Sequence, residues 1–198
     1  MRLAQVIGIA IALVLFTGGV YTSYEKSRNL NEATCLGCLA LNPIVKSFSG
    51  FWVEYPEGYD KEGNNVPHPS WVVDELSKGK VVMLFFWYHG CDPCSRQWSD
   101  MKNAGIVEGS EENGCMDERY KKNITLFTVD IINSERKDVI KIYTPKGDIG
   151  APTTVILTLK DGNVLWYAFQ GPAGGDGGQP SLKQLEEILA LAVENMEV

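Results

Sequence analysis

Four of the five cysteines fall into two pairs at C-x-x-C spacing, Cys35 with Cys38 and Cys91 with Cys94. Thiols three residues apart can close a disulfide, hold a soft metal, or pass electrons by exchange with a second disulfide. At the N-terminus of a helix, unpaired backbone N–H groups and the helix dipole stabilise the first sulfur as its thiolate, the nucleophilic form. The second sulfur then lies one turn on, close enough to attack a mixed disulfide. In the Cys91 pair, Cys91 attacks and Cys94 resolves. Pro93, with fixed φ and no N–H, suits a first helical turn and stiffens the loop between the sulfurs. Cys115 is left over, and buried apolar filler, free thiol and intermolecular bridge are all open readings for it.

A dithiol of this kind needs a strand to deliver it and a helix to follow it. VVMLFFWY, residues 81–88, is a continuous apolar run rich in β-branched and aromatic residues, the pattern of a strand buried on both faces. It stops at Gly90, and GCDPCSRQWSDMKNAG reads as a helix beginning around the cysteines and ending near Gly105. Upstream, PSWVVDELSKGK is a short amphipathic helix opened by Pro69 and Ser70, with Val72, Val73 and Leu76 on one face. Downstream come a strand at ITLFTVDI, a short helix from Ser134, a strand from Thr153, a turn at Asp161 and Gly162 into NVLWYAF, and an amphipathic closing helix. Its apolar stripe is Leu182, Leu185, Ile188, Leu189 and Val193. The order αβαβαββα, with its last two strands forming a hairpin, predicts an α/β fold with a central mixed sheet and helices on both faces.

Together, FFWYHGCDPC, TLFTVDI, GAPTTVILTLKDGNVLWYAFQG and the last helix resemble the thioredoxin superfamily over roughly residues 67–198. The resemblance implies that Pro152, in Gly150-Ala151-Pro152-Thr153, is a cis-proline opposite the dithiol, with neighbouring backbone that pairs with an extended substrate peptide. It also implies that Trp87 supports the active-site loop. Cys91, Cys94, Trp87, Pro93, Ala151 and Pro152 are therefore the expected site residues of a thiol-disulfide oxidoreductase with no cofactor and no metal. Many thioredoxins carry a buried acid six positions before the first cysteine, where this chain has Phe85. His89 is read as a solvated loop side chain. The acidic insertion IVEGSEENGCMDERYKKN is read as surface loop. Asp92, between the sulfurs, disfavours the Cys91 thiolate and makes the pair more reducing, pointing to a reductase. C-D-P-C also resembles the active sites of membrane-anchored thioredoxin-like proteins that reduce other exported proteins.

The N-terminus supports that setting. No charged residue occurs from Leu3 to Tyr24, and a helix over that stretch is about 33 Å long, enough to cross a hydrocarbon core of about 30 Å. The sequence thus divides into a membrane anchor at 1–24, a linker and edge segment at 25–66 carrying the first C-x-x-C, and a thioredoxin-like domain at 67–198. The expected topology is single-pass with the catalytic domain extracytoplasmic; signal cleavage and secretion is the alternative. Partners are then protein disulfides or dithiols and a membrane electron donor. A net charge of -7 without a basic stripe argues against nucleic acid.

Cys35 and Cys38 have three readings: a second redox dithiol relaying electrons to Cys91 and Cys94, a structural disulfide, or half a metal site completed by Cys115 or His68. Two other functions compete with the enzyme. One is a thioredoxin-fold binding or assembly module with a purely structural disulfide; the other is a metallochaperone using both pairs. Exposure discriminates, because exchange needs an accessible Cys91 whereas a structural pair is buried.

Overall fold

A computed structural model describes residues 50–147, 149–170 and 181–197. The predicted anchor at 1–24 and the Cys35–Cys38 pair lie outside them, and among the described residues no helix is long and apolar enough to cross a membrane. The elements are α1 (Ser70–Leu76), β1 (Val81–Trp87), α2 (Asp92–Asn103), β2 (Val107–Glu108), β3 (Cys115–Met116), β4 (Ile124–Asp130), a 3-10 helix (Lys137–Ile142), β5 (Thr153–Lys160), β6 (Asn163–Gln170) and α3 (Leu182–Glu194).

Four strands form a mixed sheet in the order β4-β1-β5-β6. β1 pairs with β4 in parallel and with β5 antiparallel, and β5 and β6 form a hairpin. All seven residues of β1 are buried, as its unbroken apolar run requires of a strand covered on both faces. Alternation divides them. Val81, Met83, Phe85 and Trp87 face a layer built by α2 and α3, in which Cys94, Trp98, Met101, Leu185, Ile188 and Leu189 are buried. Val82, Leu84 and Phe86 face Val72 and Leu76 of α1, Ile140 of the 3-10 helix and the aromatic rings of Tyr55, Tyr59, Tyr143 and Trp166.

The β5–β6 turn is the two-residue Asp161-Gly162 loop, with φ of 51° and 73°. Two positive φ values give the turn whose twist matches the flanking strands, and Gly162 supplies the second without a Cβ penalty. α3 opens on a reciprocal capping box: Ser181 Oγ accepts from the Gln184 N–H at 3.2 Å, and the Gln184 side chain accepts from the Ser181 N–H at 3.1 Å.

Several sequence expectations change. Val73 is 38% exposed and lies off the buried stripe of α1. The helix expected from Ser134 is a 3-10 helix that starts at Lys137, because the Asp130 carboxylate first turns the chain by accepting the Ile132 and Asn133 N–H groups at 2.8 and 3.1 Å. The acidic insertion is more than surface loop: β2 and β3 form a ribbon that buries Val107 and Met116. The segment before α1 enters the core through Phe51, Tyr55, Tyr59 and Val66. Trp52 extends the sheet beside β6, exchanging two backbone hydrogen bonds of 2.9 Å with Trp166.

Candidate active site

The C-terminal end of β1 delivers the dithiol to the start of α2. Gly90, at φ 86°, turns the chain out of the strand, a backbone conformation that side chains disfavour. Cys91 is the N-cap of α2, where its sulfur accepts the Cys94 N–H at 3.2 Å, as Ser or Asp does at ordinary helix starts. Pro93 falls in the first turn, where its missing N–H breaks no helical bond. The sulfurs are joined: S–S is 1.98 Å, the Cβ–S–S–Cβ angle 74° and Cα–Cα 5.2 Å.

Of the other expected site residues, Ala151 and Pro152 lie close by and share a cis peptide bond. Cys91 Sγ stands 3.9 Å from the Ala151 carbonyl oxygen, so the loop before β5 closes over the sulfur. The Thr153 hydroxyl donates to the Gly150 carbonyl at 2.7 Å and holds that loop. Trp87 ends β1 within the same apolar cluster as both cysteines, and its Nε1 is buried with no hydrogen-bond partner. Trp87, Pro93, Ala151 and Pro152 thus lie with the dithiol at one end of the sheet.

Accessibility departs from what exchange was expected to need: Cys91 is 2% exposed and Cys94 fully buried. Around them, His89, Gly90 and Asp92 are exposed, and Ile149 is 52% exposed. Phe85 is fully buried against Trp98, ring centroids 5.4 Å apart, so the position that could have held an interior acid is apolar. Asp130, paired with Trp87 across β1 and β4, is the nearby carboxyl whose protonation shifts. Burial pushes it up, but hydrogen bonds from the Asn133 side chain and the Ile132 and Asn133 N–H groups, with a smaller contribution from His89, hold it below the usual carboxylate range.

Two polar residues escaped the sequence reading. Gln97, 4% exposed, donates its Nε2 hydrogen to Thr154 Oγ1 at 2.9 Å, and Thr154 is fully buried. The available signal was spacing: Gln97 is one turn beyond Cys94 and shares its face of α2.

Of the residues offered for a metal, Cys115 and His68 lie among the described residues. Cys115 is a free, exposed thiol on β3, which overturns the buried-filler reading. His68 faces Tyr143, whose hydroxyl is 3.1 Å from His68 Nδ1. Among the described residues no cluster of three or more His, Cys, Asp or Glu could hold a metal ion.

Fold and site together define a class: a mixed-sheet α/β domain with a C-x-x-C disulfide at a helix N-terminus beside a cis-proline loop, an arrangement that resembles the thioredoxin fold. Among solved structures, the chain is similar to a thioredoxin from Thermus thermophilus, at 17% identity and a TM-score of 0.36, over 63% of this chain and 82% of that one. No family model and no curated protein matches the sequence.

Proposed function

We propose that the protein is a thiol-disulfide oxidoreductase acting on protein substrates, with Cys91 attacking and Cys94 resolving. The observation that carries this reading is the N-cap position of Cys91, whose sulfur takes a helix N–H and faces the Ala151 carbonyl. A thiolate there is stabilised by the end of a twelve-residue helix. In the reducing direction, the Cys91 thiolate attacks a substrate disulfide, one substrate sulfur leaves as thiolate, and a mixed disulfide forms. Cys94, after giving up its proton to solvent, attacks the Cys91 sulfur and releases the second substrate thiolate, leaving the Cys91–Cys94 disulfide. Ala151 and Pro152 border the path of the substrate peptide, while Trp87 and Pro93 hold the loop between strand and helix. The exposed Asp92 carboxylate favours net reduction, and the apolar segment at 3–24 supports exported proteins as substrates, met outside the cytoplasm.

Burial of Cys91 favours a second reading, a binding module with a structural disulfide. Exchange requires the loops carrying His89 and Ala151 to part and admit a substrate sulfur; a structural disulfide needs no such opening. Equilibrating the full chain in dithiothreitol buffers, with turnover of a disulfide-bonded protein followed in parallel, separates the two. The enzyme is expected to show a couple near the thioredoxin value of about -270 mV, turnover lost in Cys91→Ser, and a trapped mixed disulfide in Cys94→Ser. A pair that stays oxidised well below about -300 mV and turns nothing over makes the disulfide structural. In the same titration, a shift on Cys35→Ser identifies a relay between the two pairs.

A further inference from the structure

We infer that Gln97 and Thr154 are a positioning pair for the dithiol, their hydrogen bond fixing the active-site helix against the cis-proline loop and so setting how readily the Cys91–Cys94 disulfide closes. The inference rests on the exchange reading above. The two segments that meet at Cys91 Sγ are the first turn of α2 and the loop entering β5, in contact at 3.9 Å through the Ala151 carbonyl. Gln97 lies one turn into α2 from Cys94, and Thr154 lies two residues past Pro152. Their 2.9 Å bond therefore ties the same two segments together from within the core.

Packing alone gives no reason for this choice of residues. Their surroundings are apolar: Trp98 and Met101 on the helix, and Phe85 and Phe169, the strand partners of Thr154. A buried amide there costs desolvation and side-chain entropy that Met or Leu avoids, and Thr differs from Val by the hydroxyl alone. What the pair supplies is direction, since a hydrogen bond fixes distance and angle where apolar contact lets a helix slide. Neither group titrates in the ordinary range, so they act through geometry and not by taking the Cys94 proton. A helix held in register keeps Cys94 at high effective concentration against Cys91, which favours the closed disulfide. Loss of the bond then makes the pair easier to reduce.

The test is the dithiol–disulfide equilibrium of the full chain in dithiothreitol buffers, with unfolding midpoint and protein-disulfide turnover measured alongside. Thr154→Val is expected to lower the closure constant about tenfold, a potential about 30 mV less negative. Gln97→Met should match it, Thr154→Ser should restore closure to within about twofold of wild type, and the double variant should go no further than either single one. If Thr154→Val and Gln97→Met lower the unfolding midpoint but keep the wild-type potential, the pair is structural and the inference is wrong. If the potential shifts as expected while the wild type turns over no protein disulfide, the exchange reading fails, and the pair sets only the stability of a structural disulfide.

Discussion

The two faces of the sheet bury polar groups on different terms. On the dithiol face, the buried hydroxyls and amide of the helix–sheet interface are committed to bonds between elements: Gln97 with Thr154 at 2.9 Å, and the Thr158 hydroxyl donating to the Ala192 carbonyl of α3 at 3.1 Å. The opposite face gathers Trp52, Tyr55, Tyr59 and Tyr143 around Trp166, with ring centroids 4.9 to 6.1 Å from it. There Tyr55 Oη and Trp166 Nε1 are buried without a hydrogen-bond partner. Each such group costs about 1–3 kcal/mol, which the apolar area of the rings offsets. The dithiol face has one such group too, Trp87 Nε1, so the contrast lies in the buried helix–sheet contacts: side-chain hydrogen bonds on one face, ring packing around Trp166 on the other.

Deleting the centre of the aromatic face should produce the largest effect. Trp166 is fully buried, and it carries the backbone bridge to Trp52. Trp166→Ala should cost about 3–5 kcal/mol, read as a fall in the urea midpoint, because the cavity forms among rings that cannot collapse into it. Its dithiol potential should stay within a few millivolts of wild type. A large shift in potential would break the division between the faces.

A pH titration sharpens the same contrast. Burial pushes His68 down to about 4 from its ordinary value near 6.5, and Tyr143, beside it, is pushed up by burial and by Tyr55. A histidine with depressed folded pKa contributes full stability above about pH 6.5, where both states are neutral. That contribution is lost as pH falls towards 4, because the unfolded chain takes up the proton first. Between pH 7 and pH 4.5 the loss is about 2–3 kcal/mol. The Asp130 contribution, from a carboxyl held below its usual range, fades only at lower pH. Denaturation curves at the two pH values should show the loss in wild type and not in His68→Asn; an equal loss in both assigns the pH dependence elsewhere.

The faces were also unequally legible from sequence. The dithiol, its strand, the Asp161-Gly162 turn, the proline loop and α3 each carry a local signature: spacing, an apolar run, a turn dipeptide or a helical stripe. The aromatic face does not. Tyr55 and Tyr59 sit among Gly, Pro, Asp and Glu with no period, and their burial depends on Trp52 pairing with Trp166, a contact more than a hundred residues away in the chain. Gln97 was hidden for another reason: within SRQWSD a glutamine on the buried side of a helix looks like one facing water, and only its partner on β5 tells them apart. β2 and β3 span two residues each, too short for alternation to show.

That ribbon offers the finest probe of the dithiol face, because it packs on the active-site helix. Trp98, one turn past Cys94, donates its Nε1 hydrogen to the Gly109 carbonyl at 3.4 Å, and its ring lies over Gly114. A methyl group on Gly114 would run into the Trp98 ring and come within 2.7 Å of the Ser110 carbonyl oxygen. Backbone on one side and a packed ring on the other leave the helix as the part able to move. Gly114→Ala is therefore expected to cost about 1–3 kcal/mol through overpacking. The strain enters α2 beside Gln97, so the variant should also shift the dithiol potential in the same direction as Thr154→Val, though by less. Trp98→Phe, which shortens the ring, should relieve both effects when combined with it. A Gly114→Ala variant that loses stability while keeping the wild-type potential would mean that the dithiol is insulated from displacement of α2.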